Sequence, residues 1–464
     1  MNEDSETPFA FNPTENNDLD EQSNPKSSFF ENNKKLILII AGGILAVVIL
    51  TVISIIIYKA VNKGNENSED DKRKINPHPD PIPIPPPKTS DNYIIAKYET
   101  TQDSVNGRIF TPIPLPPESM NYTKYILSIV YQNISLSVNE GSFRFKFKGN
   151  YTFNIYFKGD ETFSTLGYFF FDCPNLVEVD FSHFKSEPIK SMRGLFKGCV
   201  KLNKITYGDN FVASNLLYIT ELFVGCQSLK EIDLSKFSTS KLKEMDAVFE
   251  GCTQLKNINF GNIDTSNVLT MRNIFSKCSS LTSVNLENFN TEKVTTFENM
   301  FSGCSSMASI DVKQLETDKA TDLSNMFEDC SELIFLNLNT FKTSNVNDMS
   351  NMFKGCTKLQ SLDLSNFDTQ NLLDMDNMFY NCQNLNTLDL KSFYTPNLEF
   401  MEGLFFGCSS LSSLDMSNFN TTLVTSSSEW ISGVKSEGKI IYNPEIFTIN
   451  LINKIPKGWE KEEI

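Results

Sequence analysis

Apolar positions recur along this chain at a fixed spacing, and that spacing is the first indication of its fold. Phe stands three residues before every cysteine, and Leu or Met stands three residues after it. Further apolar residues follow six and eight residues after most of the cysteines, and usually a Phe eleven after. The cysteines lie at positions 173, 199, 226, 252, 278, 304, 330, 356, 382 and 408, all 26 residues apart except for one interval of 27. A period of this length indicates a repeat architecture.

Two shorter periods inside each repeat predict two kinds of local structure. The apolar positions three, six and eight residues after the cysteine match the strand of a leucine-rich repeat, so positions five, seven and nine point outward. Met349, Met352 and Phe353 then follow the i, i+3, i+4 spacing of one helical turn, with Asp348 as its N-cap and a glycine as its stop. Core residues of the repeat include Cys199, Phe353 and Cys356.

These patterns predict an α/β fold, a leucine-rich-repeat solenoid of about ten strand–loop–short-helix rungs. We expect a β-rich N-terminal cap, a short C-terminal cap and one preceding transmembrane helix. The predicted domains are a disordered tail (1–35), a transmembrane signal anchor (36–58), a charged and Pro-rich stalk (59–90), a β-rich cap (91–165), the solenoid (166–425) and a C-terminal cap (426–464).

The predicted anchor is an uncharged run of apolar residues. Residues 36–58 would span ~34 Å as a helix, enough for a hydrocarbon core of ~30 Å. Basic residues flank both ends, so the positive-inside rule slightly favours a cytoplasmic C-terminal side. The Pro-rich stalk and the downstream glycosylation sequons favour the opposite orientation. The candidate N-glycosylation sites are Asn121, Asn133, Asn150 and Asn420. We therefore expect a single-pass plasma-membrane protein with a cytoplasmic N-terminus, an extracellular repeat domain and the lipid bilayer as a partner.

Composition restricts the chemistry. The net charge of -16 argues against a nucleic-acid partner, because phosphate binding needs a basic face. Only two histidines occur, and no nucleophile elbow, phosphate loop or HExxH motif is present. We expect no enzyme activity, no cofactor and no metal site. The cysteine column leaves two alternatives: rung-to-rung disulfides, or buried thiols that act as small apolar groups, which we favour.

One repeat departs from the pattern on the outward strand face. Small polar residues occupy this face in several repeats, whereas Ile334 and Phe335 place two large apolar residues there. Exposed aromatic residues on a polar face are candidate binding anchors. Neighbouring Asp and Asn residues would add hydrogen bonds and favour basic ligands: Asp311, Asn337, Asp363, Asp389 and Asp415. The alternative is that Phe335 packs against its neighbours and that the polar column is merely solvated.

The repeat resembles a known family. The stretch MSNMFKGCTKLQSLDLSNFDT (349–369) is similar to the repeat of BspA-like leucine-rich-repeat surface proteins, which belong to the Treponema-type repeats, and the likeness covers about 169–421. It implies surface display and adhesion to host tissue, matrix proteins or other microbes. We therefore expect a membrane-anchored adhesin for protein or glycan ligands. A surface receptor or pattern-recognition module, an intracellular membrane-tethered scaffold and self-association remain alternatives.

Overall fold

The computed structural model describes residues 89–112, 121–139, 141–159, 163–209 and 211–464 of the 464-residue chain. An N-terminal β module contains β1 (Tyr93–Thr100), β2 (Val105–Arg108), β3 (Ile126–Tyr131), β4 (Ile134–Leu136), β5 (Ser142–Phe145), β6 (Gly149–Phe157) and a 3-10 helix (Tyr122–Lys124). The repeats carry β7 (Leu176–Asp180), β8 (Lys204–Thr206), β9 (Glu231–Asp233), β10 (Asn257–Asn259), β11 (Ser309–Ile310), β12 (Phe335–Leu336), β13 (Thr387–Asp389) and β14 (Ser413–Met416). The C-terminal part adds β15 (Glu437–Tyr442), helix α1 (Ile449–Ile452) and β16 (Gly458–Glu463).

The β module joins the repeats through a shared sheet. Its strand order is β4-β3-β6-β1-β7-β8, and β1 pairs antiparallel with both β6 and β7. Alternate residues of β1, namely Ile94, Ala96 and Tyr98, are fully buried. Since β7 and β8 are parallel, β1 is where the antiparallel module changes into the parallel stack and covers its first strand.

The strands of the repeats do not form one continuous sheet. β9 pairs only with β10, β11 pairs only with β12, and β13 to β16 form a separate sheet. The rungs that contain Cys278 and Cys356 have no assigned strand. The break between β8 and β9 coincides with the single 27-residue interval, because the extra residue lies between them. Strand pairing alone therefore does not hold the rungs together.

A second column of backbone hydrogen bonds does run from rung to rung; we call it the turn ladder, and in each repeat it occupies the eight residues before the cysteine. In one rung Met349 N and Asn351 N donate to Asp374 O and Asp376 O at 2.9 and 2.8 Å. The intervening amides close tight turns within the rung, as Lys354 N does on Asn351 O at 3.0 Å. Alternate amides thus bond to the next rung and to their own turn.

The predicted helical turn is therefore wrong, and with it the α/β fold class: in the described part of the chain the solenoid is built from strands and turns. A helix needs successive residues with negative φ, but Asn351 has a φ of 56° and Gly355 a φ of 74°. Only glycine and, less readily, Asn or Asp adopt such left-handed conformations routinely. Five repeats carry Asn five residues before the cysteine, a signal against a helix that the apolar spacing concealed: Asn273, Asn299, Asn325, Asn351 and Asn377.

A stack of phenylalanine rings fills the centre of the solenoid. The ten Phe residues that precede the cysteines, from Phe170 to Phe405, lie in consecutive contact, with ring centroids 5.4–5.9 Å apart and planes within 14° of parallel. Trp430 ends the stack edge-on against Phe405 at 6.2 Å. Offset aromatic pairs contribute roughly 0.5–1.5 kcal/mol each beyond the area that they bury. The stack links each rung to the next.

The ten cysteines are free and buried, which confirms the thiol alternative. The Sγ of Cys356 donates to the carbonyl oxygen of Phe327 in the preceding rung at 3.1 Å. Eight other cysteines make the same contact, from Cys199 to Cys408, at 3.0–3.2 Å. Burial raises the pKa of the Cys330 thiol to about 12, so the thiol keeps the proton that it donates.

The membrane prediction requires correction. A transmembrane helix needs about 20 consecutive apolar residues, whereas α1, the one α-helix among the described residues, has four. No helix in that part of the chain could cross a bilayer. The predicted anchor at 36–58, with the tail and most of the stalk, lies outside the described residues. The prediction of a single-pass plasma-membrane protein with the bilayer as a partner is not supported and is not carried further.

Replacing Phe353 by Ala should remove one ring from the middle of the stack. Phe353 is fully buried between Phe327 and Phe379, so we expect a loss of about 3–5 kcal/mol of unfolding free energy, the usual value for a large core cavity. Urea denaturation followed by circular dichroism measures the loss. A loss below about 1 kcal/mol would contradict the stacked core.

Substitutions at Asn351 distinguish the observed turn from the predicted helix. At a φ of 56°, Asn351→Ala should destabilise the protein by about 1 kcal/mol, while Asn351→Gly should be close to neutral. In a helix the order would be reversed, because Ala is favoured over Gly there by about 1 kcal/mol. The denaturation midpoints of both variants, measured side by side, show which of the two is more stable.

Candidate functional site

The outward strand face carries the predicted apolar anchors. Ile334 and Phe335 are 45% and 59% exposed. Phe335 begins β12, and its register partner in β11 is Ser309. A serine cannot cover a phenyl ring, so neither ring face nor edge is buried by this neighbour. The alternative in which Phe335 packs away from solvent does not match this exposure.

The polar column beside these residues has a structural role. In every repeat from β7 to β14 the Asp or Asn seven residues after the cysteine accepts a hydrogen bond from the backbone N–H two residues later, except at Thr206 in β8. For the predicted site residues Asp311, Asn337, Asp363, Asp389 and Asp415 the distances are 2.9–3.1 Å. This is the Asx turn that ends each strand. Residues chosen as ligand-binding candidates are therefore also turn-forming residues.

Hydrogen bonds favour the charged form of two of these carboxylates, Asp311 and Asp363. Hydrogen bonding to Ser365 lowers the pKa of Asp363, and Lys313, whose Nζ lies 2.7 Å from Oδ2 of Asp311, lowers the pKa of Asp311. Both side chains are exposed. One oxygen of Asp363 is held by the backbone, and the other is available as a hydrogen-bond acceptor.

A cavity of about 400 Å³ lies beside two of the predicted residues. It opens where the rung of Cys356 lacks an assigned strand, and its walls come from three consecutive rungs. The lining residues are Leu362, Asp363, Leu364, Ser365, Asp389, Lys391, Ser392 and Asn418. The cavity brings Asp363 and Asp389 together, whereas Phe335, Asp311 and Asp415 do not line it.

The sequon asparagines occupy different surroundings. Asn133 lies in the tight turn between β3 and β4 with a φ of 64°, and Asn150 is exposed in β6. The side-chain oxygens of Asn121 and Asn420 instead accept backbone N–H groups two residues later, at 3.0 and 2.9 Å. Their glycosylation stays a prediction.

A second surface was missed by the sequence analysis. On the turn ladder, acidic residues follow one another in the column that precedes each turn, and Asp348 and Asp374 are joined by a backbone bridge. Burial, with neighbouring Asp376 and Asp348, raises the pKa of Asp374 to about 6. Burial and the neighbouring carboxylates also raise the pKa values of Asp376 and Glu298. The available sequence signal was the run of Asp residues at one repeat position.

This geometry defines the molecule as a β-solenoid repeat protein with one polar strand face and one acidic turn face. Three overlapping stretches, 164–262, 217–334 and 321–442, match the family model described as "Mycoplasma protein of unknown function, DUF285". Together they cover more than half of the chain, so the chain belongs to this family of repeat proteins. The finer likeness to BspA-type repeats stays a resemblance.

The other comparisons add little. No curated protein matches the chain. Among solved structures, that of a TLR13–ssRNA13 complex is similar at 14% identity and a TM-score of 0.18, over 62% of this chain and 51% of that one. The chain thus corresponds to about half the length of that structure, and a likeness of this size carries no argument about fold or ligand.

The raised pKa of Asp374 predicts a specific pH dependence. A carboxyl group with a folded pKa near 6 and an unfolded pKa near 3.9 favours folding below pH 4, and this contribution is lost as the pH rises through 6. Asp374→Asn should therefore stabilise the protein at pH 7.5 by about 1 kcal/mol, discounted for partial exposure, and by almost nothing at pH 4. Urea denaturation at both pH values measures the difference.

Asp363→Asn is the matched control, because Asp363 has a lowered pKa and an Asx turn of the same kind. It should give no gain at pH 7.5. If both variants gained stability at pH 7.5, or if neither did, the result would contradict our inference that burial and charge repulsion destabilise the ionised form of Asp374.

Proposed function

We propose that this chain is a non-enzymatic binding protein of the adhesin type, which recognises a protein or glycan through its outward strand face. The single observation that carries the proposal is the exposure of Phe335 at a position where the neighbouring repeats carry Ser309 and Ser361, with Ile334 exposed beside it. The other conspicuous columns of the repeat are explained by the fold: Phe by the stack, Cys by the thiol hydrogen bond, and Asp or Asn by the Asx turn.

Residues that depart from a repeat column are not needed by the fold, and an exposed aromatic among them carries a free-energy cost in water. Covering the side chain of Phe335 by a partner would contribute roughly 1.5–3 kcal/mol. Aromatic residues are enriched among the few that dominate binding energy at interfaces. Ile334 lies next to it and would enlarge the apolar contact.

Polar groups surround this anchor, and their hydrogen bonds would orient a bound ligand. The register partner Ser309 carries a hydroxyl, Asn337 has a side-chain amide group that the Asx turn does not use, and the Asp311–Lys313 ion pair adds a charged group of each sign. The carboxylates favour ligands with basic or hydroxyl donors. An apolar anchor within a polar rim is the usual composition of a specific protein interface.

Phe335→Ser should reduce binding of the purified chain to an immobilised extracellular-matrix extract by about tenfold, the effect of losing ~1.4 kcal/mol at an anchor. The substitution places in this rung the residue found at Ser309 and Ser361, so the melting temperature should stay the same. Bound protein is quantified by surface plasmon resonance over a concentration series.

Phe147→Ser is the matched control, since Phe147 is 64% exposed but belongs to the β module. It should leave binding unchanged. Loss of binding in this variant but not in Phe335→Ser would place the site on the β module. Equal binding by all three proteins would contradict a role for either exposed ring.

A further inference from the structure

Two exposed apolar side chains lie at the start of the turn ladder in the C-terminal third of the solenoid: Phe400 is the first residue of its rung of the ladder, and Leu373 comes one residue before the start of the preceding rung. Leu373 is 40% exposed and Phe400 is 37% exposed. The amide of Phe400 donates to the carbonyl oxygen of Leu373 at 3.1 Å, so the two residues lie side by side on consecutive rungs. On its other side, Phe400 bridges to Ser426 of the following rung.

These residues also depart from their repeat columns. The three preceding rungs place small polar residues at the position of Leu373, and acidic residues at the position of Phe400. The equivalents are Thr295, Thr321 and Asn347 for Leu373, and Asp322, Asp348 and Asp374 for Phe400. The fold accommodates polar residues at both positions, so it does not require apolar ones.

We propose that Leu373 and Phe400 form a docking surface for a basic amphipathic segment of a partner protein. This surface is on the turn ladder, separate from the strand face, and the inference does not depend on the function proposed above.

The bordering charges are acidic and uncompensated. Asp374, Asp376, Glu399 and Glu402 adjoin the strip, and within the described residues none of them forms an ion pair with a lysine or arginine. The carboxylate of Asp376 accepts only the backbone N–H of Glu402, at 2.6 Å. Lysine or arginine side chains placed here would relieve the repulsion among these groups, while apolar residues between them would cover Leu373 and Phe400.

In earlier rungs of the same ladder, arginine side chains neutralise acidic residues. Glu244 forms an ion pair with Arg193, and Glu298 pairs with Arg272 at 3.3 Å. The chain thus neutralises its own carboxylates at one end of the turn ladder and leaves them free beside the exposed apolar strip.

Two other occupants fit less well. A second copy of this chain would bring another acidic face against the first, since the net charge is -16. For a divalent cation, the described residues contain no group of three or more side chains placed to hold a metal ion. A basic segment with alternating apolar residues satisfies both the strip and its charges.

The test uses the full chain and a fluorescein-labelled amphipathic peptide of Leu-Lys-Lys-Leu repeats, followed by fluorescence anisotropy. Two further peptides separate the contributions, one with Ser in place of Leu and one with Glu in place of Lys. We expect Phe400→Ser and Leu373→Thr each to weaken binding of the Leu-Lys peptide by about tenfold, the scale of an interface anchor. Asp374→Asn combined with Asp376→Asn should weaken it by a similar factor and flatten its dependence on salt.

Leu269→Thr is the matched control. Leu269 occupies the same column as Leu373 and is 55% exposed, but the carboxylates near it belong to the rungs compensated by arginine. Its variant should bind as tightly as the unaltered chain, and Leu269→Thr, Leu373→Thr and Phe400→Ser should keep the same melting temperature, whereas the double Asp→Asn variant should melt higher at pH 7.5. Equal affinity of the Ser-Lys peptide, or undiminished binding by Phe400→Ser, would overturn the proposal, because either result means non-specific attraction to an acidic protein. Displacement of the peptide by micromolar Ca²⁺ would overturn it in favour of a cation site.

Discussion

The hydrogen bonds of the turn ladder are the constraint on which the rest of this structure depends. Every second amide before the cysteine donates to the next rung, and the amides between them close turns in their own rung. Such a ladder needs the same register in each repeat, and the constant 26-residue period supplies it. The 27-residue interval shows that the turn ladder is kept where strand pairing is lost. There the strand column opens between β8 and β9, while Gly194 N and Phe196 N still bond to Thr220 O and Leu222 O at 2.9 and 3.0 Å.

The core follows from this register. Once the backbones are held in parallel, identical residues stack on identical residues, and a column of Phe becomes a continuous pile of offset rings. In the interior rungs, each Phe carbonyl oxygen accepts the cysteine N–H of its own turn and, from the next rung, a thiol: Phe353 O accepts from Cys356 N and from Cys382 Sγ, both at 3.1 Å. On the far side, buried threonines bridge the loops: Thr343 donates to Asp368 O and accepts from Asp368 N, both at 2.9 Å. Each recurrent polar group therefore has a recurrent partner.

A repeat protein of this kind separates structural residues from functional ones in a simple way. What recurs in a column is explained by the contact that each rung makes with the next, whereas a departure from the column has no such explanation. Phe335 on the strand face and Leu373 with Phe400 on the turn ladder are departures of this type, and all are exposed. The two surfaces differ in charge, since Lys313 pairs with Asp311 on the first, whereas on the second no lysine or arginine of the described ranges pairs with Asp374.

The sequence by itself determined the period and the core columns, favoured buried thiols and singled out Phe335, because each of these depends only on which residue type recurs and which rung departs from the rule. It also predicted a helical turn wrongly. Met349, Met352 and Phe353 are buried in either conformation, so apolar spacing could not separate a helix from a chain of turns. Only the tertiary structure decided between them, since the amides of Met349 and Asn351 find their acceptors 25 residues away in the next rung. The acidic turn face likewise depends on carboxylates that consecutive rungs bring together, as Asp348 and Asp374 are, and no single repeat contains that contact.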